Sequence, residues 1–160
     1  MKTVSSRTIV VVTFLSALLA LAGCGRDENP PAKVQFQQFK LSSSAGPCQP
    51  GADCSGYIML ASNGTLTYDK FDELPEGTLH TTTVTQAELD AAIPVLTDSS
   101  LVALLATSGQ ICPQAYDLYE GMTLWTLDGT TYAHETTGCS DQSIENARKA
   151  LRDLAGSYFP

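Results

Sequence analysis

At 160 residues the chain has room for one domain with its own core, large enough to fold without a metal or a second subunit. Nine Lys and Arg stand against 17 Asp and Glu, a formal net charge of −8. That sign disfavours nucleic acid and anionic membrane surfaces as partners, because both would meet like charge.

The chain opens with Lys2 and Arg7, followed by an apolar run over residues 9–21 broken by Thr13 and Ser16. A membrane-spanning helix needs about 20 apolar residues, so this shorter run reads as the hydrophobic region of a secretory signal. Directly after it comes Leu21-Ala22-Gly23-Cys24, which resembles the lipobox of bacterial lipoproteins. The resemblance implies cleavage after residue 23, a diacylglycerol on the Cys24 sulfur and often an acyl chain such as palmitate on its amino group. Two or three chains give stable anchoring, whereas one gives marginal binding. Gly25 stands where an aspartate would imply inner-membrane retention, so the expected address is the outer membrane or cell surface. Loss of the leader removes Lys2 and Arg7 and no acid, leaving a net charge of −10. Residues 24–32, with Pro30 and Pro31 and no apolar periodicity, read as an extended linker that keeps the domain within about 20 to 30 Å of the lipid. A single domain over 33–160 follows.

Residues 33–41 read as a first strand whose apolar residues change parity. Val34 and Phe36 share one face, Phe39 and Leu41 the other, so a bulge near Gln37-Gln38 is needed to bring all four to the core. Cys48 and Cys54 lie in a turn-rich segment holding Gly46, Pro47, Pro50 and Gly51. Residues 56–62 and 65–69 flank Asn63-Gly64, a hairpin signal read as a two-residue turn that sets Met59 opposite Tyr68 and Ala61 opposite Leu66. A threonine-rich strand is expected over 78–84.

Thr85-Gln86-Ala87-Glu88 has the form of a capping box, with Leu89, Ala92, Ile93 and Leu96 on one stripe behind it. Pro94 and Thr97-Asp98-Ser99 argue that this helix kinks or stops. A second helix then starts near Ser99 and buries Leu101, Leu104 and Leu105. Residues 124–127 and 130–134 around Asp128-Gly129 repeat the hairpin, with Trp125 set opposite Tyr132 as an aromatic cross-strand pair. The last helix is expected over 141–155, with Ile144, Ala147, Leu151 and Leu154 inward and Gly156 beyond its end. Its other face, Glu145, Arg148, Lys149 and Arg152, reads as solvated. The fold class is α+β: a twisted antiparallel sheet of five to six strands with helices packed on one face.

Four cysteines remain once Cys24 is acylated, and export makes them two disulfides out of three connectivities. The turn-rich segment favours Cys48 with Cys54, leaving Cys112 with Cys139 to clamp the base of the second hairpin. No metal is expected, since no pair has the close Cys-x-x-Cys or His-x-x-x-His spacing of zinc sites. No cofactor is expected either, for the sequence holds no Gly-x-Ser-x-Gly, Gly-rich phosphate loop or His-Glu-x-x-His.

His80 and His134, the two histidines, fall on expected strands. Asp69, Asp72, Glu73 and Glu76 crowd the stretch after the first hairpin, and no catalytic residue is assigned. Tyr116, Asp117, Tyr119 and Glu120 form a candidate binding edge, because tyrosines beside acids suit an interface. The layout resembles short secreted lipoproteins with one α+β domain, a likeness that carries no functional residues with it. The leading expectation is a non-enzymatic, lipid-anchored envelope module that binds an envelope or extracellular protein and no nucleic acid. Rival readings are an inhibitor of an exported hydrolase and a small hydrolase using the acidic loop.

Overall fold

The computed structural model describes residues 34–46, 53–71, 73, 75, 77–107, 112 and 118–160. The order is β1 (Phe36–Ala45), β2 (Ser55–Ala61), β3 (Thr65–Asp69), β4 (Leu79–Thr83), α1 (Gln86–Leu96), α2 (Ser99–Leu105), β5 (Leu118–Thr126), β6 (Thr131–Glu135) and α3 (Gln142–Tyr158). The six strands form one sheet in the order β4-β3-β2-β1-β5-β6, and every neighbouring pair is antiparallel. The fold is thus α+β, an open antiparallel sheet with its helices on one face.

Strand alternation decides which face that is. Phe39, Leu60 and Leu124 sit side by side across β1, β2 and β5, and Leu41, Ile58 and Met122 form the next row. All six are buried, together with Leu66 on β3 and Leu89, Leu96, Leu101, Ile144 and Leu151 from the helices. The irregularity that brings Phe36 to the same side falls between Phe36 and Gln38, where the parity change requires it.

Both hairpins depart from the two-residue reading in the same way. Leu60 pairs with Leu66 and Met59 with Thr67, while Leu124 pairs with Tyr132 and Trp125 with Thr131. Each loop therefore holds three residues. Gly64 N–H donates to Ala61 O at 2.9 Å and Gly129 N–H to Thr126 O at 3.0 Å, and the two glycines take φ of 82° and 85°. This is a tight turn followed by a left-handed glycine, a conformation in which a Cβ would be strained. A one-residue change of register exchanges the faces. Tyr132 accordingly joins Leu124 on the core side, Trp125 lies on the other, and the expected Trp125–Tyr132 pair does not form.

Strands β1 and β5 run longer than their apolar patterns suggest, to Ala45 and from Leu118, because each continues to pair with the other. Helix α1 has its capping box, Thr85 accepting from Glu88 N–H and Glu88 accepting from Thr85 N–H, and it carries Pro94 within it. Asp98 caps α2 by accepting from Ser100 and Leu101 N–H. Helix α3 passes through Gly156 to Tyr158 rather than stopping before it. Tertiary contacts hold its last turn: Tyr158 Oη donates to Glu88 Oε2 at 2.6 Å, and Phe159 packs on Tyr68 and His80 with ring centroids 5.8 and 5.7 Å away.

Gly56 is needed for close approach. A Cβ there would lie 2.6 Å from Asp69 O and 2.8 Å from Phe71 N, both backbone atoms that cannot rotate aside. Gly56→Ala is expected to cost about 1 to 3 kcal/mol, the usual range for overpacking, read as a lower urea midpoint.

Three carboxyls at helix starts and turns sit below their usual pKa. Glu88 is lowered first by the Tyr158 hydroxyl and then by Thr85, Asp128 by the Thr126 hydroxyl and then the Thr130 N–H, and Asp141 by the Ser143 hydroxyl and N–H. A folded-state pKa below the unfolded value gives stability that is complete above the unfolded pKa and is lost as pH falls through the folded one. Urea midpoints are therefore expected to hold level from neutrality to about pH 5 and to fall progressively below about pH 4.

Candidate functional site

The face of the sheet turned away from the helices carries the candidate site. Its central row runs from Thr81 through Thr67, Met59, Lys40 and Thr123 to Ala133 across all six strands. The rows on either side place Tyr57 beside Ser42 and Trp125 beside Gln38, and Tyr119 lies beyond, opposite Ser44. Tyr57, Met59 and Trp125 are half-buried, whereas Tyr119 is 46% exposed and Leu79, at the β4 corner, 56%.

These side chains hold one another in place. Lys40 Nζ stands 4.3 Å from the centroid of the Tyr57 ring, a cation–π contact. The Gln38 amide donates to Met59 Sδ. Tyr119 lies over Gly121, where a Cβ would come within 3.0 Å of its hydroxyl oxygen, and Ser42 Oγ donates to Gly121 O at 3.2 Å. The result is a platform of aromatic and thioether groups around one ammonium, with Asp69 and Glu135 in the next row toward its two ends. Surfaces of this composition bind by apolar contact with polar groups fixing orientation.

Of the expected binding edge, Tyr119 lies on this platform, and Tyr116 and Asp117 fall outside the described residues. Glu120 is 6% exposed and faces the helices, because it shares parity with Met122 and Leu124. It accepts from Arg148 Nη2 at 2.6 Å, Arg148 Nε at 2.9 Å, Arg152 Nη2 at 3.0 Å and the Thr136 hydroxyl at 3.1 Å. Arg148 also pairs with Glu145 Oε1 at 2.5 Å, and Glu120 foremost holds its guanidinium in the charged form. The α3 face read as solvated is thus partly a buried ion pair. The Arg148 side chain is 12% exposed and Arg152 57%.

Cys112 and Cys139 are joined, with Cα atoms 5.0 Å apart and Cys139 buried. Cys54 is disulfide-bonded, while Cys48 and Cys24 lie outside the described residues. His80 Nε2 is 2.7 Å from Glu73 Oε2, which ties the acidic stretch to the sheet edge, and Asp72 and Glu76 are not described. His134, on β6, pairs with Met122 on β5. A cleft of about 250 Å³ opens where the end of α3 meets the sheet, lined by Leu41, Gly56, Phe71 and Phe159 with the Glu120–Arg152 pair at its wall. Among the described residues no three His, Cys, Asp or Glu side chains gather in a way that could hold a metal.

Tyr57, Met59 and Lys40 escaped the reading of candidate residues, although alternation with Ile58 and Leu60 on β2 and with Phe39 and Leu41 on β1 already sent them to the opposite face. Comparison of the chain with protein-family models and with curated proteins finds no match to either.

Proposed function

We propose that the protein is a lipid-anchored module of the outer bacterial envelope that binds a neutral or basic protein through the platform around Lys40. One observation carries the binding half of this reading. Three helices cover one face of the sheet, and the other gathers Tyr57, Met59, Tyr119 and Trp125, residue types enriched where proteins meet. The address is supported by Leu21-Ala22-Gly23-Cys24 and by the oxidised state of Cys54, Cys112 and Cys139, which suits an exported chain. A net charge of −10 after cleavage favours a partner without excess acid.

The test is chemical cross-linking of the native lipidated chain in intact envelopes, followed by identification of the attached protein. Tyr57→Glu and Trp125→Glu, which place acids on the platform, are expected to abolish that product while leaving the chain folded. Undiminished cross-linking of both variants to the same protein would refute the platform as the site, and catalytic turnover by the purified chain would refute the non-enzymatic reading.

One observation favours a second reading, inhibition of an exported hydrolase. Leu118 and Tyr119, 53% and 46% exposed, begin β5 six and seven residues after Cys112, which the link to Cys139 ties to the domain, and they offer a firmly held apolar sheet end to a cleft. Titration against secreted proteases and β-lactamases decides it: no inhibition at micromolar excess removes the idea. A hydrolase built on the acidic loop gains no such support, since Glu73 is engaged by His80.

A further inference from the structure

We infer that the outer edge of β4 is a homotypic contact, at which two copies of the chain join antiparallel β4 strands into one twelve-stranded sheet. This contact runs through the backbone edge of β4, whose Leu79 and Thr81 side chains also end the platform rows, and it does not require the partner proposed for the platform.

The edge is defined by hydrogen-bond alternation. Val84 N–H donates to Gly64 O at 3.0 Å, so in the register of β3 with β4 the bonded pairs are Leu66–Thr82 and Tyr68–His80, and the intervening pairs are unbonded. Leu79, Thr81 and Thr83 therefore turn their backbone N–H and C=O groups away from β3. Among the described residues β4 ends the sheet, and these three side chains are exposed. Natural edge strands are guarded by charge, proline or a bulge. Residues 78–84, Thr-Leu-His-Thr-Thr-Thr-Val, have no formal charge and no proline, and threonine and valine favour strands.

The same segment is complementary to itself. A two-fold axis at Thr81 sets Thr81 against Thr81 of the second copy and Leu79 against Thr83 on both sides, with about six backbone hydrogen bonds in three bonded pairs. Threonines facing each other across strands are favourable, and no like charges are opposed. Antiparallel pairing also sends the acidic stretch that leads from Asp69 through Glu73 into β4 to opposite ends of the contact, where a parallel pairing would set the two together. The other edge, β6, carries Glu135. Five residues per copy place the contact in the small, transient class, so association belongs in the micromolar to millimolar range.

Sedimentation equilibrium of the purified full chain in density-matched detergent, carried up to roughly 1 mM, reads the association directly. Wild type is expected to form dimers and no larger species. Thr81→Lys, which keeps the N–H but sets two ammonium groups on the axis, is expected to weaken the dimer at least tenfold, and Ala133→Lys on β6 to leave it unchanged. Thr81→Cys is expected to cross-link under oxidation, since paired Cα atoms about 5.5 Å apart lie within disulfide reach. A monomer at every concentration would overturn the inference and leave the edge to a foreign strand. Unaltered dimers of Thr81→Lys with a wild-type circular dichroism spectrum would overturn it equally.

Discussion

Glu120→Ala is expected to lower the unfolding free energy by about 3 to 5 kcal/mol, the cost of removing one partner from a buried ion pair. The Glu120 side chain is 8% exposed and collects donors from Arg148 and Arg152 on α3 and from Thr136 in the segment after β6. Truncation leaves the Arg148 guanidinium, 12% exposed, with its charge against Glu145 alone at the rim. Glu120→Gln keeps the shape and loses the charge, so it should retain part of the loss. Replacing the pair together, Glu120→Leu with Arg148→Met, should recover most of it, because two apolar side chains of matching volume carry no desolvation penalty. Urea denaturation of these variants, together with Glu120→Leu and Arg148→Met each alone, measures these differences, and an additive double variant would show that the two side chains do not interact.

Removing the Cys112–Cys139 link by paired substitution with alanine is expected to cost about 3.5 kcal/mol. The two positions are 27 residues apart, and closing a loop of that size restricts the unfolded chain by about that amount. The link also has a local consequence. Cys139 N–H donates to Thr136 O at 3.1 Å, and Thr136 and Thr137 both hydrogen-bond Glu120, so the disulfide steadies the turn that presents those hydroxyls. Combined with Glu120→Ala, its loss should therefore be non-additive. The comparison is a urea midpoint for the oxidised wild type against the double alanine variant under the same conditions.

Periodicity made the elements legible, because each buries one face: the stripe Leu89, Ala92, Leu96 and the stripe Ile144, Ala147, Leu151 read as helices before any coordinate is known. The parity change in β1 announced its irregularity for the same reason. The hairpin registers were less legible, since Asn-Gly and Asp-Gly suit both a two-residue turn and the end of a three-residue loop. The apolar pairs Leu60 with Leu66 and Leu124 with Tyr132 would have selected the longer loop. The central position of β1 rests on its pairing with β5, about 80 residues away in the chain, a contact that no local pattern encodes.

At the site, acids beside tyrosines suggested a surface, yet Glu120 lies inside. An acid in step with Met122 and Leu124 on an apolar strand face needs a buried cation, and Arg148 and Arg152, four residues apart on one helix face, supply it. The platform was readable in part, as the residues that alternate with the core of β1, β2 and β5. That no described helix lies over it was readable only with the helices placed.

Every function proposed here presupposes a chain held at the envelope by its own first residue after processing. Intact-mass and peptide mass spectrometry of the protein purified from its native membrane examines this directly. The expected N-terminal peptide begins at Cys24 and carries a diacylglycerol on sulfur. A peptide retaining Met1 through Gly23, or a free thiol at position 24, would contradict the account.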